Sequence, residues 1–292
     1  LERAAFSLKK QRALIDPVWG GVYQYSAAGN WNEPHFEKLM PYQAANLEAY
    51  ARAGKEFLDD ARRIDSYIAN FLTASNGAFY ATQDADLNAH EKDKPFVDGH
   101  TYYALDDAGR RKLGLPRIDA NIYPRENGLA IAALCTLYEA TKDEAVLKRA
   151  RRAADAILAS QVTADGSVRR KKPGPLYLAD AAVFGWALTR LGGDYREKAR
   201  QIGEATVKNF VDEESGGCWE HTPDPNAVGV FTRRQQPFVH NVVCARFFAG
   251  LGWRDKAQRI LAAIGTPHGL NDQGRMVGEF LLALDEAGAY QW

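Results

Sequence analysis

Three aromatic side chains, a histidine and a carboxylate crowd one short stretch near the start of the chain. Gly20-Gly21-Val22-Tyr23-Gln24-Tyr25-Ser26 runs through Trp31 to Pro34-His35-Phe36-Glu37-Lys38. Aromatic faces stack on the C–H faces of sugar rings while acid, base and amide groups take the hydroxyls, so Tyr23, Tyr25 and Trp31 beside His35 and Glu37 suit a sugar-like ligand. The plainer reading makes Pro34 the first residue of a helix, Glu37 a complement to its dipole and the aromatics core. Gln83-Asp84-Ala85-Asp86 adds two carboxylates, the usual equipment of glycoside hydrolysis or proton transfer, with helix capping or loop bracing as the alternative. Continued as Asp84-x-Asp86-x-Asn88 it opens like a calcium loop, but Ala89 and Pro95 stand where glycine and Glu are needed, which excludes that reading.

Further polar groups recur where apolar helical runs begin: Arg125, Glu126 and Asn127 after Pro124, Tyr177 and Asp180 before the next run, and Arg233, Arg234, His240 and Asn241 around a fourth. Trp219-Glu220-His221 repeats the placement more weakly. If the runs close into a ring, their starts converge on one mouth, where Asp84, Asp86 or Asp180 would serve as acid and base of a hydrolase, or His35 and His240 as the bases of an epimerase. Tyr23, Tyr25, Trp31, Gln83, Arg125, Asn127 and Trp219 would hold the substrate. Capping or packing is the competing role for each. No His, Cys, Asp and Glu set has metal-site spacing, so neither metal nor cofactor is expected.

The elements that must position these residues follow from periodicity. Phe57, Ala61, Ile64, Ile68 and Phe71 form an apolar stripe at three- and four-residue steps among Asp59, Asp60, Arg62, Arg63 and Asp65, a helix with one wet face. The pattern returns over 143–160, 194–211 and 254–264. Between these outer helices lie runs apolar nearly all round, at 35–53, 125–141, 178–191, 236–251 and about 274–288, which predict buried inner helices. Tight turns such as Ala53-Gly54-Lys55 and Gly192-Gly193-Asp194 force each inner and outer pair into an antiparallel hairpin. After each outer helix comes a glycine followed by a short extended step: Gly20-Gly21-Val22-Tyr23, Asn76-Gly77-Ala78-Phe79, Asp165-Gly166-Ser167-Val168 and Gly216-Gly217-Cys218-Trp219.

The expected fold is therefore all-α, an (α/α) toroid of five to six helical hairpins forming one domain over 1–292. Residues 75–124 enter it as a rim insertion holding one short helix near 106–113, capped by Asp106. Helix 1–15 has no inner partner before it and 274–288 no outer partner after it. Either the ends pair to close five hairpins, or the ring has six and is incomplete at its N-terminal side.

Composition narrows the function classes. Lys plus Arg and Asp plus Glu both number 37, so no global field attracts nucleic acid or an anionic membrane. No run approaches the roughly 18 apolar residues of a membrane span, and Leu1 to Lys10 lacks the apolar centre of a secretory leader. The expected setting is cytoplasmic, with sequence upstream of Leu1 left open. Cys135, Cys218 and Cys244 are too few and too widely spaced for a disulfide framework.

The run GGVYQYS, then PHFEK, QDAD and ENGLAI, resembles the barrel region of the spermatogenesis-associated, thioredoxin-like family that includes YyaL-type proteins, over roughly residues 1–190. The resemblance implies a six-hairpin toroid akin to N-acylglucosamine epimerases and six-hairpin glycosidases. It also implies an upstream thioredoxin-like domain or partner. The family's motif positions fall here on His35, Glu37, Lys38, Gln83, Asp84, Asp86 and Asn127. Pro41-Tyr42 stands where the family has a Tyr-Asp pair, and QDAD is followed by a longer stretch through His90, Asp98 and Gly99. The expected function is that of a carbohydrate-active toroid, a glycoside hydrolase or an epimerase-like enzyme. The alternative is a non-catalytic scaffold of a thioredoxin-like family protein.

Overall fold

The computed structural model describes residues 2–170 and 173–289. These contain thirteen α-helices and five two-residue strands, divided between two compact units, 1–156 and 157–292.

The first unit opens with α1 (Glu2–Gln11) and a 3-10 turn, then a small hairpin of β1 (Tyr25–Ser26) and β2 (Pro34–His35). β3 (Lys38–Leu39) leads into α2 (Met40–Arg52), which returns as α3 (Leu58–Phe71). The apolar run 35–53 is thus helical only from Met40. Pro34 sits in a strand, and Pro41 in the first turn supplies the preorganised start expected of Pro34. Two-residue strands β4 (Thr82–Gln83) and β5 (Ile118–Asp119) complete an antiparallel sheet in the order β3-β4-β5, with Lys38 opposite Gln83 and Thr82 opposite Asp119.

Between β4 and β5 lie α4 (Gly99–Tyr103) and α5 (Asp107–Leu113), each capped by an aspartate. The Asp106 carboxylate accepts from the Gly109 N–H as its position predicts, while Asp98 caps a five-residue helix that periodicity is too short to reveal. Tyr102, Tyr103 and Arg110 from this stretch are buried. α6 (Pro124–Thr141) packs along α2 and turns through Lys142, in the left-handed conformation, into α7 (Glu144–Gln161). The division between the units falls within α7.

In the second unit α8 (Leu178–Leu191) packs on α9 (Tyr195–Phe210) and on α10 (Phe238–Gly250), and α10 on α11 (Arg254–Ile264). The short α12 (Pro267–Asn271) precedes α13 (Val277–Glu286), which also lies on α10. The buried Arg246 joins α10 to α13 through Glu279 and Glu286, at 2.9 and 2.8 Å.

One device recurs in both units. Each glycine-bearing loop is closed by a single antiparallel bridge: Ile15 to Val22, Thr73 to Phe79, Val162 to Val168 and Val211 to Cys218. Gly20 and Gly166 adopt positive φ there, and a Cβ on either would strike the carbonyl of Arg63 or Gln201 respectively, so both the turn and the close approach require glycine. In three cases an amide side chain in the first turn of an inner helix then grips the bridged residue's backbone. Gln43 Oε1 accepts from Val22 N while its Nε2 donates to Val22 O. Asn127 does the same for Phe79 and Asn241 for Cys218. The equivalent fourth residue of α8 is Ala181, which has no amide to offer.

Candidate functional site

The first unit brings its motif residues together by strand pairing. Tyr25 and His35 are direct partners across β1 and β2, and their rings stack with centroids 5.1 Å apart and planes 17° from parallel. Along the extended run 35–38 side chains alternate. His35 and Glu37 are part-exposed, with His35 Nε2 3.8 Å from Glu37 Oε2, whereas Lys38 is wholly buried. Phe36 turns inward too, stacking on Tyr103 at 5.0 Å and meeting Tyr23 edge-on at 4.8 Å. Trp31, at positive φ near the hairpin tip, is exposed, as is Tyr25. The outward-facing residues of this stretch are therefore Tyr25, Trp31, His35 and Glu37, with the Tyr25 ring stacked on the imidazole.

The carboxylates of QDAD are both engaged. Asp84 Oδ2 accepts from Arg117 Nε at 3.0 Å and lies 3.4 Å from His90 Nε2. Asp86 Oδ1 accepts from the Gly99 N–H at 2.7 Å and pins the start of α4. Gln83 is buried and accepts from the Tyr67 hydroxyl at 2.8 Å. Tyr23 is buried, Arg125 pairs with Glu126 at 2.7 Å, and Asn127 is the loop clamp described above. In the second unit the buried Asp180 accepts from Arg170 Nε at 2.7 Å. Arg234 lies over the Trp219 ring at 4.7 Å, and His240 is half-buried in the first turn of α10. Among the described residues no three His, Cys, Asp or Glu side chains gather as a metal-ligand set.

Behind the outward array lies a cluster that spacing does not reveal. Asp16 Oδ2 accepts from Lys38 Nζ and from an Arg110 terminal nitrogen, each at 2.7 Å, and all three side chains have zero exposure. Lys38 also donates to Gly20 O and sits 4.2 Å from the Tyr67 ring centroid, with Tyr23 and Tyr103 at 5.2 and 5.3 Å. Arg110 donates to the carbonyls of Leu105 and Tyr103 and lies over Trp19 and Tyr103. Burial raises the Asp16 carboxyl, but Lys38 and Arg110 outweigh it and hold the group below the usual carboxylate range. Burial lowers the Lys38 ammonium to about 8 against the opposing pull of Asp16. Arg110 had no sequence signal, since it stands beside Arg111 in a charged helix and only α5's docking against Trp19 distinguishes them.

No family model matches this sequence. Human spermatogenesis-associated protein 20 is 38% identical over 87 residues, 28% of this chain and 11% of the relative. Over that stretch the chain is similar to spermatogenesis-associated protein 20. The matched stretch is a small part of that protein's length. By structure, the chain resembles a sugar epimerase from a ruminal bacterium, at a TM-score of 0.69 and 15% identity, covering 98% of this chain and 82% of the epimerase. It also resembles a family 76 α-mannanase from Bacteroides thetaiotaomicron, at a TM-score of 0.59 and 13% identity, covering 97% and 77% of the two chains. The fold is the all-α (α/α) toroid expected from the helical periodicity. No helix among the described residues is long and apolar enough to cross a membrane.

Proposed function

We propose that this relative of spermatogenesis-associated protein 20 is a carbohydrate-active toroid that binds a small sugar on the outward array and moves a proton there through His35. The observation that carries the reading is the His35 ring, stacked on Tyr25, part-exposed, with the Glu37 carboxylate 3.8 Å from Nε2. An imidazole with a carboxylate close by can take a proton from the carbon beside a sugar carbonyl and return it, the step common to epimerases and isomerases. Tyr25 and Trp31 offer the apolar face that a sugar ring stacks on. Likeness to a sugar epimerase over nearly the whole chain supports the same choice. Hydrolysis is less favoured because Asp84, Asp86 and Asp180 each already serve an arginine or a backbone N–H.

The test is proton exchange: aldoses, ketoses and disaccharides in deuterated water with the protein, followed by NMR, alongside chromogenic glycosides. Deuterium entering at the carbon next to the carbonyl, and lost in His35→Ala, is the expected result. His240→Ala belongs in the same series. No exchange, no hydrolysis and no sugar-induced shift at His35 would overturn the reading.

A second reading, a non-catalytic scaffold binding a thioredoxin-like domain or partner, is favoured by the engagement of Asp84, Asp86, Asn127 and Asp180 in internal bonds. It predicts no turnover of any sugar, and binding of a thioredoxin-like module that His35→Ala leaves unchanged.

A further inference from the structure

A groove in the first unit takes no part in the site described above. Its volume is about 460 Å³, inside the range of about 300–1,000 Å³ in which small molecules are bound. The end of α3 contributes Ser66, Asn70 and Phe71, the start of α5 contributes Asp107 and Arg111, and the loop before Gly20 contributes Val18 and Trp19. Tyr25, Trp31, His35 and Glu37 do not line it.

The lining is apolar on one part and polar on another. Val18 is exposed and Phe71 half-buried, while the faces of Trp19 are covered by Phe71 and Arg110. The polar members hold one another and keep donors and acceptors in hand. Arg111 Nε donates to both oxygens of Asp107, at 2.8 and 2.9 Å, and the Trp19 indole N–H donates to Asp107 Oδ1 at 2.7 Å. The terminal nitrogens of Arg111 meet no acceptor among the described residues. On α3, Asn70 Nδ2 donates to Ser66 Oγ at 3.2 Å, which leaves the Asn70 carbonyl oxygen to accept.

Charge sets the class of ligand. Arg111 and the Trp19 indole hold the Asp107 carboxyl below its usual range, so the carboxylate is ionised and balances Arg111. Nearby, Arg62 is paired with Asp59, Arg110 with Asp16, and Arg63 donates to the Asp16 carbonyl. A charged ligand would meet a guanidinium and a carboxylate that already neutralise each other. Hydroxyl groups donate and accept through one oxygen, and so match the Arg111 nitrogens, the second Asp107 oxygen and the Asn70 amide set side by side. Val18 and Phe71 suit the C–H groups that carry those hydroxyls. We propose that this groove is a second sugar-binding site, taking one neutral pyranose of a glycan through Asp107, Arg111 and Asn70, independently of any chemistry at His35.

The Trp19 indole N–H, bonded to Asp107 in the groove, is the probe. Titration of the full chain with maltotriose, xylotriose and chitotriose, followed by NMR, should move that resonance saturably with at least one of them. Arg111→Leu and Asn70→Ala remove exposed side chains, and each should weaken the binding read at Trp19 by roughly tenfold while leaving any sugar response at His35 unchanged. His35→Ala should in turn leave the Trp19 response intact, so failure of one site is read separately from failure of the other. The proposal is overturned if none of the trisaccharides moves the Trp19 signal, or if the shift is the same in both groove variants. It is overturned equally if glucuronate or a capped dipeptide moves the signal and the neutral sugars do not, which would mark an anion site or a peptide groove.

Discussion

His35 and Lys38 are three residues apart in one extended run, yet they belong to opposite regions. His35 faces outward on Tyr25 with a carboxylate for company, and Lys38 is sealed behind it against Asp16 and three tyrosine rings. Strand alternation makes the split. A motif that reads as one reactive cluster therefore has a face for ligand and a face for the fold, and residue type alone does not sort them.

The largest expected effect comes from breaking the inner face. Asp16→Ala leaves Lys38 and Arg110 buried without their shared carboxylate and should cost about 3–5 kcal/mol by chemical denaturation. A loss below about 1 kcal/mol would mean that the cluster is not a keystone of this unit. Next come the loop clamps. Asn127→Ala and Asn241→Ala each strip hydrogen bonds from a buried N–H and C=O, at about 2–3 kcal/mol apiece, whereas Ala181→Ser on α8, where no clamp exists, should stay within about 1 kcal/mol.

A pH series sharpens the contrast further. The Lys38 ammonium is lowered by burial from 10.5 to about 8 in the fold, so between those values the unfolded chain binds more protons than the folded one. This group's contribution is fully present above 10.5 and lost as pH falls through about 8. The stability of the wild type relative to Lys38→Met should accordingly rise with pH across that window. A flat difference would indicate that Lys38 has an ordinary affinity for its proton.

The smallest effect on stability belongs to the outward face. His35→Ala and Tyr25→Ala should change it by no more than about 0.5 kcal/mol while weakening sugar binding tenfold or more. If His35→Ala destabilised the protein as strongly as Asp16→Ala, the division into two faces would fail.

Much of the helical framework was legible because apolar periodicity needs only local sequence. The runs 125–141 and 178–191 match α6 and α8 to within a residue, and Asp106 caps α5 as its position predicts. The run 35–53 reads as helix five residues too early, because Tyr25 pairs with His35 in a local hairpin and Gln83, distant in sequence, pairs with Lys38, so that residues up to Leu39 are drawn into strands. Short pieces such as α4 and the two-residue strands offer too few residues for any period to show. Among the candidate ligands for sugar, Asn127 suits either role in sequence, an amide at a helix start being fit to bind or to clamp, and it is its bonds to Phe79 that reveal the clamp.

The helical hairpins and the glycine loops between them are written locally, since a 3.6-residue period and a positive φ are properties of neighbouring residues. Which charges go inside is set by long-range packing. Asp16 and Arg110 lie 94 positions apart and meet because α5 docks beneath Trp19, and whether a charged side chain is solvated or sealed depends on what the rest of the chain lays over it.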